Sequence, residues 1–220
     1  MAKTIAFVLY PGITPLDLVG PLQVLSALAE FDRSFDVVVA AHNHDVLETD
    51  TPVRLQPSHS FDEVTEPFAV MVPGGGAPTL AAMKDRALVA QIASFARTAQ
   101  WVGSVCTGSL ILGAAGLLAG RRATTHWGFR DRLAAFGAEA VAERWVVDGK
   151  LITAAGVSAG IDMALHVVER LAGEQMARKV QLAVEYDPQP PLGGIDWQSP
   201  EVSRYAQPDG WTALTASRNH

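Results

Sequence analysis

The chemistry in this sequence centres on Cys106, its one cysteine. The thiol ends the apolar run Trp101-Val102-Gly103-Ser104-Val105, and Thr107-Gly108-Ser109 after it open a helical stretch. The spacing therefore predicts a strand-to-helix turn of the nucleophile-elbow kind. A helix N-terminus carries roughly half a positive charge and unpaired N–H groups, which favour a thiolate and can hold a developing anion. Cys106 is accordingly expected to titrate below the value of about 8.5 of a free thiol. A lone cysteine is more commonly a small buried hydrophobe. The position argues for reactivity, because ligands of open α/β sheets bind at the carboxyl ends of strands.

Three other places carry polar groups that could serve such a thiol. Gly74-Gly75-Gly76 follows the apolar run Phe68 to Val72 but lacks the spacing of a phosphate loop or a dinucleotide fingerprint. It reads as a tight turn or as a source of backbone N–H donors near the thiol, with Gly75 and Gly76 the candidates. Asp17, in Pro15-Leu16-Asp17-Leu18-Val19-Gly20-Pro21, is either an ordinary helix-start carboxylate or, close to the thiol, an acid with raised proton affinity that can donate a proton at neutral pH. His126, in Thr124-Thr125-His126-Trp127, is the nearest histidine base in sequence and equally a packed loop residue. His42 and His44 alternate in a polar loop without the partners that a metal site needs and are expected to be solvated.

The elements that must position these residues alternate between strand and helix. Ile5 to Tyr10, Phe35 to Ala40, Phe68 to Val72 and Trp101 to Val105 are short, nearly continuous apolar runs, the pattern of buried parallel strands. Helical segments lie between them, at Leu16 to Glu30, Asp85 to Thr98 and Thr107 to Ala119. Thr14 before Pro15 and Asp85 before Arg86 are expected caps, and Gly20-Pro21 should bend the first helix. Val46 to Glu48 with Val53 to Gln56 predicts a small hairpin. Trp145 to Val147 with Leu151 to Thr153, joined by Asp148-Gly149-Lys150, predicts a stronger one. Ser158 is placed to cap a helix from Ala159 to about Ala172, and another runs from Glu174 to about Tyr186. The class is α/β, a mainly parallel sheet with helices on both faces.

At 220 residues the chain suits one domain, able to bury roughly 70% of its unfolded surface without a disulfide or metal. The expected boundaries are 1–187 for that domain and 188–220 for a C-terminal arm. In the arm, prolines and glycines replace helical period, and Trp197 and Trp211 suggest packing on the body or on a partner subunit. Seventeen basic against twenty-three acidic residues, a net charge of −6, disfavour nucleic acid and anionic membranes as partners. Pro11-Gly12 cuts the first apolar run too short for a signal segment, and no stretch is apolar for long enough to span a bilayer, so a cytoplasmic protein is expected.

Taken together, Pro15 to Pro21, Pro73-Gly74-Gly75, Ser104-Val105-Cys106-Thr107-Gly108-Ser109, Ala123 to Trp127 and Gly156-Val157-Ser158-Ala159-Gly160-Ile161-Asp162 make the chain resemble the ThiJ/PfpI superfamily. Aspartate in the first helix with Cys-Thr-Gly-Ser at the elbow is similar, within it, to the isocyanide (isonitrile) hydratases. The same pattern occurs in amidase-like domains fused to AraC-type regulators, whose helix-turn-helix domain is not expected to fit in this sequence. The resemblance implies a flavodoxin-like sandwich, a homodimer, a strained elbow cysteine, and a pocket shaped in part by Ala155 and Val157. Protease-like members carry histidine after the cysteine, where this sequence has Thr107. Members assigned as chaperones, deglycases or glyoxalases carry glutamate where Asp17 stands.

The expected reaction is hydration of a small isocyanide. The Cys106 thiolate attacks the terminal carbon, Asp17 protonates it, and water releases an N-substituted formamide from the thioimidate. Thr107, through its N–H or hydroxyl, and the Gly75 backbone are expected to stabilise charge. No metal, nucleotide or flavin is called for. A glyoxalase-like or other cysteine-dependent hydrolase is the alternative enzyme, and a redox sensor based on oxidation of Cys106 is the alternative from another class.

Overall fold

The computed structural model describes residues 2–200 and residue 202. In chain order its elements are β1 (Lys3–Val8), α1 (Pro15–Phe31), β2 (Phe35–Ala41), β3 (Leu47–Glu48), β4 (Arg54–Leu55), β5 (His59–Ser60), β6 (Ala69–Val72), α2 (Ala77–Ala82), α3 (Arg86–Thr98), β7 (Trp101–Val105) and α4 (Gly108–Ala114). There follow β8 (Arg122–Ala123), β9 (Glu139–Ala140), β10 (Trp145–Asp148), β11 (Leu151–Ala154), α5 (Ala159–Ala172) and α6 (Glu174–Ala183), with 3-10 turns at Phe61–Glu63 and Trp127–Phe136.

Seven strands form one sheet in the order β10-β11-β7-β6-β1-β2-β5, parallel except for β10. The β6 and β11 residues are all buried, because helices cover both faces and leave no solvent side for polar alternation. On one face α1 packs on α5 and α6; on the other α3 packs on α4, and both lie against β6. In α3 the buried Leu88, Ile92, Phe95 and Ala96 recur at helical spacing, and each large side chain so buried contributes about 1.5–3 kcal/mol. Strand order reverses beside β1, with β2 on one flank and β6 on the other. That crevice lies at the carboxyl ends of the strands, where ligands of such sheets bind.

The α/β expectation holds, and the differences are local. β1 ends at Val8 instead of Tyr10, although the Leu9 N–H still donates to the Ala40 carbonyl of β2 at 2.8 Å. α4 stops at Ala114 instead of Ala119. Gly116 takes a left-handed φ of 74°, and the Leu117 N–H closes back on the Leu112 carbonyl at 3.0 Å, an arrangement that satisfies the last carbonyls and ends the helix. α6 ends at Ala183. α1 runs through Pro21, which has no N–H to offer the Asp17 carbonyl one turn back.

Asp85 caps α3 by accepting from Ala87 and Leu88 at 3.0 and 3.1 Å, as expected. Thr14 and Ser158 hold cap positions without capping. The Thr14 hydroxyl donates to Asp50 at 2.6 Å, and Ser158 already has helical backbone with its hydroxyl facing Arg144. Both predicted hairpins form, and the second supplies β11 as a parallel neighbour of β7. Trp197 is 53% exposed and meets Trp127 edge to face at 6.3 Å, while Trp211 lies outside the described residues. No helix among the described residues is long and apolar enough to cross a membrane.

Candidate active site

Cys106 follows β7 with φ at 56°, a left-handed conformation that costs a residue with a side chain about 1–3 kcal/mol. The surroundings over-determine it. Its N–H donates to the Ala154 and Ala155 carbonyls at 3.1 and 2.9 Å, at the end of β11. Its carbonyl accepts the Thr125 hydroxyl at 2.8 Å and the Ser109 hydroxyl at 3.3 Å. The sulfur thereby faces the backbone N–H groups of Thr107 and Val157 and the Asp17 carboxyl.

Asp17, in the first turn of α1, is 1% exposed. One carboxyl oxygen, Oδ2, accepts from the Gly74 N–H at 3.1 Å, while Oδ1 makes no regular hydrogen bond; the Cys106 thiol is the carboxyl's other polar neighbour. Three segments meet here because residue 74 is glycine. A Cβ on it would lie 2.6 Å from the Thr107 N and Oγ1 and 2.9 Å from Asp17 Oδ2. Burial pushes the Asp17 carboxyl up to about 7, against the downward pull of the thiol and the Gly74 N–H, and the nearby Asp50 carboxylate adds to the rise. The carboxyl thus exchanges its proton near neutrality.

Cys106 corrects the expectation of a depressed thiol. Burial and the facing Asp17 carboxylate push it up, outweighing the Thr107 and Val157 N–H groups. The helix behind it has seven residues and begins at Gly108, so its terminus is a small influence beside desolvation and an adjacent anion. The thiol accordingly keeps its proton and faces the Asp17 carboxyl as the acceptor nearest to it.

The other candidates divide by what they touch. Thr107 presents its N–H to the sulfur, but its hydroxyl is turned away, accepting from the Gly75 N–H at 3.1 Å and lying 2.7 Å from the Thr79 hydroxyl. The Gly75 N–H, expected to serve the adduct, is thus occupied by Thr107 and Thr79. Gly76 is the N-cap of α2, its carbonyl accepting from Thr79 N–H at 3.2 Å. Ala155 holds the Cys106 backbone, and Val157, with φ at 25°, brings its N–H to the sulfur.

His126 accepts from the Gly128 N–H at 3.2 Å and stands over Gly156, where a Cβ would come within 2.8 Å of its ring. Burial and Arg130 lower it to about 4, so it is neutral at physiological pH. His42 and His44 pair with Asp85 and Glu63, and no group of three metal-ligating side chains gathers among the described residues. Sequence reasoning misses Tyr10, Thr79, Thr125 and the particular role of Gly74. The available signals are hydroxyl-bearing residues at the end of an apolar strand, just past the glycine turn, and before His126.

The model of the DJ-1/PfpI family matches residues 3–170. The chain is 42% identical over 212 residues to the isonitrile hydratase of Pseudomonas putida, which spans 95% of this chain and 88% of that protein. It also resembles the crystal structure of a THiJ/PfpI family protein from Pseudomonas syringae, with 37% identity, TM-score 0.86, and coverage of 99% of this chain and 87% of that one. Drosophila melanogaster DJ-1beta shares the fold at 21% identity and TM-score 0.75, covering 86% of this chain and all of the other. The chain belongs to the DJ-1/PfpI family.

Proposed function

We propose that this DJ-1/PfpI family member hydrates isocyanides to N-substituted formamides with Cys106 as nucleophile and Asp17 as the group that moves the proton. The observation that carries the reading is the pairing of a buried carboxyl, one oxygen unbonded, with the strained elbow thiol. The kinship to the Pseudomonas putida isonitrile hydratase supports it.

An isocyanide carbon bears a lone pair and must gain both a nucleophile and a proton. The thiol passes its proton to the Asp17 carboxylate as the S–C bond forms. Asp17 returns that proton to the same carbon, leaving a thioimidate, R–N=CH–S–Cys106. Water then adds across C=N, Asp17 taking a proton from the oxygen and passing it to the nitrogen, so that the carboxylate is ionised again. The tetrahedral adduct R–NH–CH(OH)–S breaks its C–S bond, the sulfur recovers a proton through Asp17, and R–NH–CHO leaves. A raised thiol suits this cycle, because the proton that S–H gives up is the one the carbon needs. The Thr107 and Val157 N–H groups are placed to stabilise negative charge on sulfur as it arrives and departs.

The reading extends to the protein's setting. Leu16 and Val19, 42% and 36% exposed, flank Asp17 on α1, an apolar surface that suits a homodimer with each site near the interface. Dependence on one free thiol fits a reducing compartment, the cytoplasm. Residues 188–200 are proposed as the start of an arm on the body, supported by the Trp197–Trp127 contact; the rest of that arm, residue 202 apart, lies outside the described residues. Purified protein mixed with an alkyl or aryl isocyanide should form the matching formamide, followed by mass spectrometry. No consumption of any isocyanide, with methylglyoxal consumed instead, would replace the reading with a glyoxalase.

A further inference from the structure

Behind the site lies a buried row of hydroxyls that the chemistry does not touch. The Tyr10 hydroxyl donates to the Pro73 carbonyl at 3.0 Å and lies 3.3 Å from Thr79 Oγ1, which lies 2.7 Å from Thr107 Oγ1. The Gly75 N–H donates to both threonine oxygens, at 3.0 and 3.1 Å. Tyr10, Thr79 and Thr107 are 3% exposed or less.

Proton counting leaves one arrangement. The single Tyr10 proton goes to Pro73, so the contact between Tyr10 and Thr79 must be donated by Thr79. The Thr79 proton is then spent, so Thr107 donates to Thr79, and the Gly75 N–H finds lone pairs on both. The chain runs one way, Thr107 to Thr79 to Tyr10 to Pro73. All its protons point away from the sulfur. It ties both ends of the turn Pro73 to Gly75 to the elbow, and the residue between those ends is Gly74, whose N–H meets Asp17.

We propose that Tyr10 and Thr79 are positioning residues, whose hydroxyls hold the Pro73–Gly75 turn against Thr107 so that the Gly74 N–H stays on Asp17. The proposal deepens the isocyanide hydratase reading and rests on it for its turnover arm. Neither residue touches the reacting atoms. If the turn loosens, Asp17 loses a donor that favours its ionised form, and its proton affinity rises further. Misplacement of this order in a packed site costs turnover while leaving the substrate pocket in place.

The test compares wild type with Tyr10→Phe, Thr79→Val and Thr79→Ser. Tyr10→Phe and Thr79→Val should each lower kcat for isocyanide hydration about tenfold, with KM within about twofold. The acid limb of the pH profile, centred near 7 in wild type, should move to higher pH. Thr79→Ser, which keeps the oxygen, should restore both. The pH dependence of Cys106 alkylation by iodoacetamide reads the same Asp17 ionisation without isocyanide, and its midpoint should move in the same direction. Wild-type kcat and an unmoved alkylation midpoint in Tyr10→Phe and Thr79→Val would overturn the proposal. A wild-type protein inert to isocyanides, but with the alkylation midpoint still shifted by the variants, would overturn the hydratase reading and leave the positioning role standing. Should Thr79→Val fail to fold, Tyr10→Phe, which removes one oxygen from a packed ring, decides the matter.

Discussion

Two aspartates stand at the starts of two helices, Asp17 in α1 and Asp85 before α3, and the fold drives them in opposite directions. Around Asp85 some burial works against the charge, but the N–H groups of Leu88 and Ala87 and the neighbouring His42 outweigh it and hold the carboxyl below its usual range. Asp17 receives one backbone N–H, keeps an oxygen without a regular bond, and faces a thiol in a buried crevice, so it is pushed up to about 7. The same side chain at similar helix positions is a cap in one case and a proton carrier in the other. The count of donors and the access of water separate them, and helix polarity is common to both.

The largest effect that would test this contrast is on turnover. Asp17→Asn should keep the fold and lower isocyanide hydration about 10²–10⁴-fold, because the amide cannot cycle a proton. Asp85→Asn should leave turnover within about twofold, since its partners are the Ala87 and Leu88 N–H groups and His42, none of which faces Cys106. Steady-state formamide production checks both, and equal losses would erase the distinction. Cys106→Ala should abolish turnover outright, and rapid quench of wild type should trap substrate mass on the Cys106 peptide.

Next is the pH dependence. Hydration needs Asp17 ionised to accept the thiol proton, so kcat/KM should fall as pH drops through about 7, and the limb should vanish in Asp17→Asn. Stability carries the opposite sign. The unfolded carboxyl ionises near 3.8 and the folded one near 7, so the folded state holds the extra proton and loses stability as pH rises through that window, by up to about 4 kcal/mol above it. Chemical denaturation should therefore show Asp17→Asn gaining on wild type more at pH 8 than at pH 5. A constant difference would mean that the carboxyl is not held at a raised value.

Smaller effects belong to the ordinary carboxylate and the arm. Asp85→Ala should cost about 1 kcal/mol in urea unfolding by removing the two cap bonds. Trp197→Ala should cost at most about 1 kcal/mol, the worth of an edge-to-face ring contact beyond its area. A loss of several kcal/mol, or a shift in sedimentation, would show that the arm is built into a subunit interface.

Much of this is written locally in the chain. A five-residue apolar run between turn signals is too short for a buried helix and suits a strand buried on both faces, so Trp101 to Val105 reads as β7 and places Cys106 at its carboxyl end. Asp148-Gly149-Lys150 between two β-branched runs specifies the hairpin, and the family motifs at Asp17, Gly74, Cys106 and His126 are contiguous strings. Boundaries depend on what surrounds them. α4 ends early because Gly116 can turn left-handed, and the Thr14 hydroxyl does not cap because the Asp17 N–H goes to the Thr14 backbone carbonyl while the hydroxyl donates to Asp50.

The sequence by itself determined that a thiol stands at a strand-to-helix turn in an α/β sheet with an aspartate at another helix start. Tertiary structure alone decided their proton affinities. The Cys106 thiol is raised because burial and Asp17 act across 89 residues of chain, an influence larger than the local helix terminus that the sequence displays. It also decided that the Gly75 N–H and the Thr107 hydroxyl face Thr79 and not the sulfur, and that Tyr10, a strand residue by pattern, closes a hydroxyl chain with Pro73. Apart from the local Gly75–Thr79 bond, those bonds join residues brought together only where the carboxyl ends of β1, β6 and β7 converge. Hydrogen-bond direction and desolvation depend on distances of an ångström or two, which no periodicity encodes.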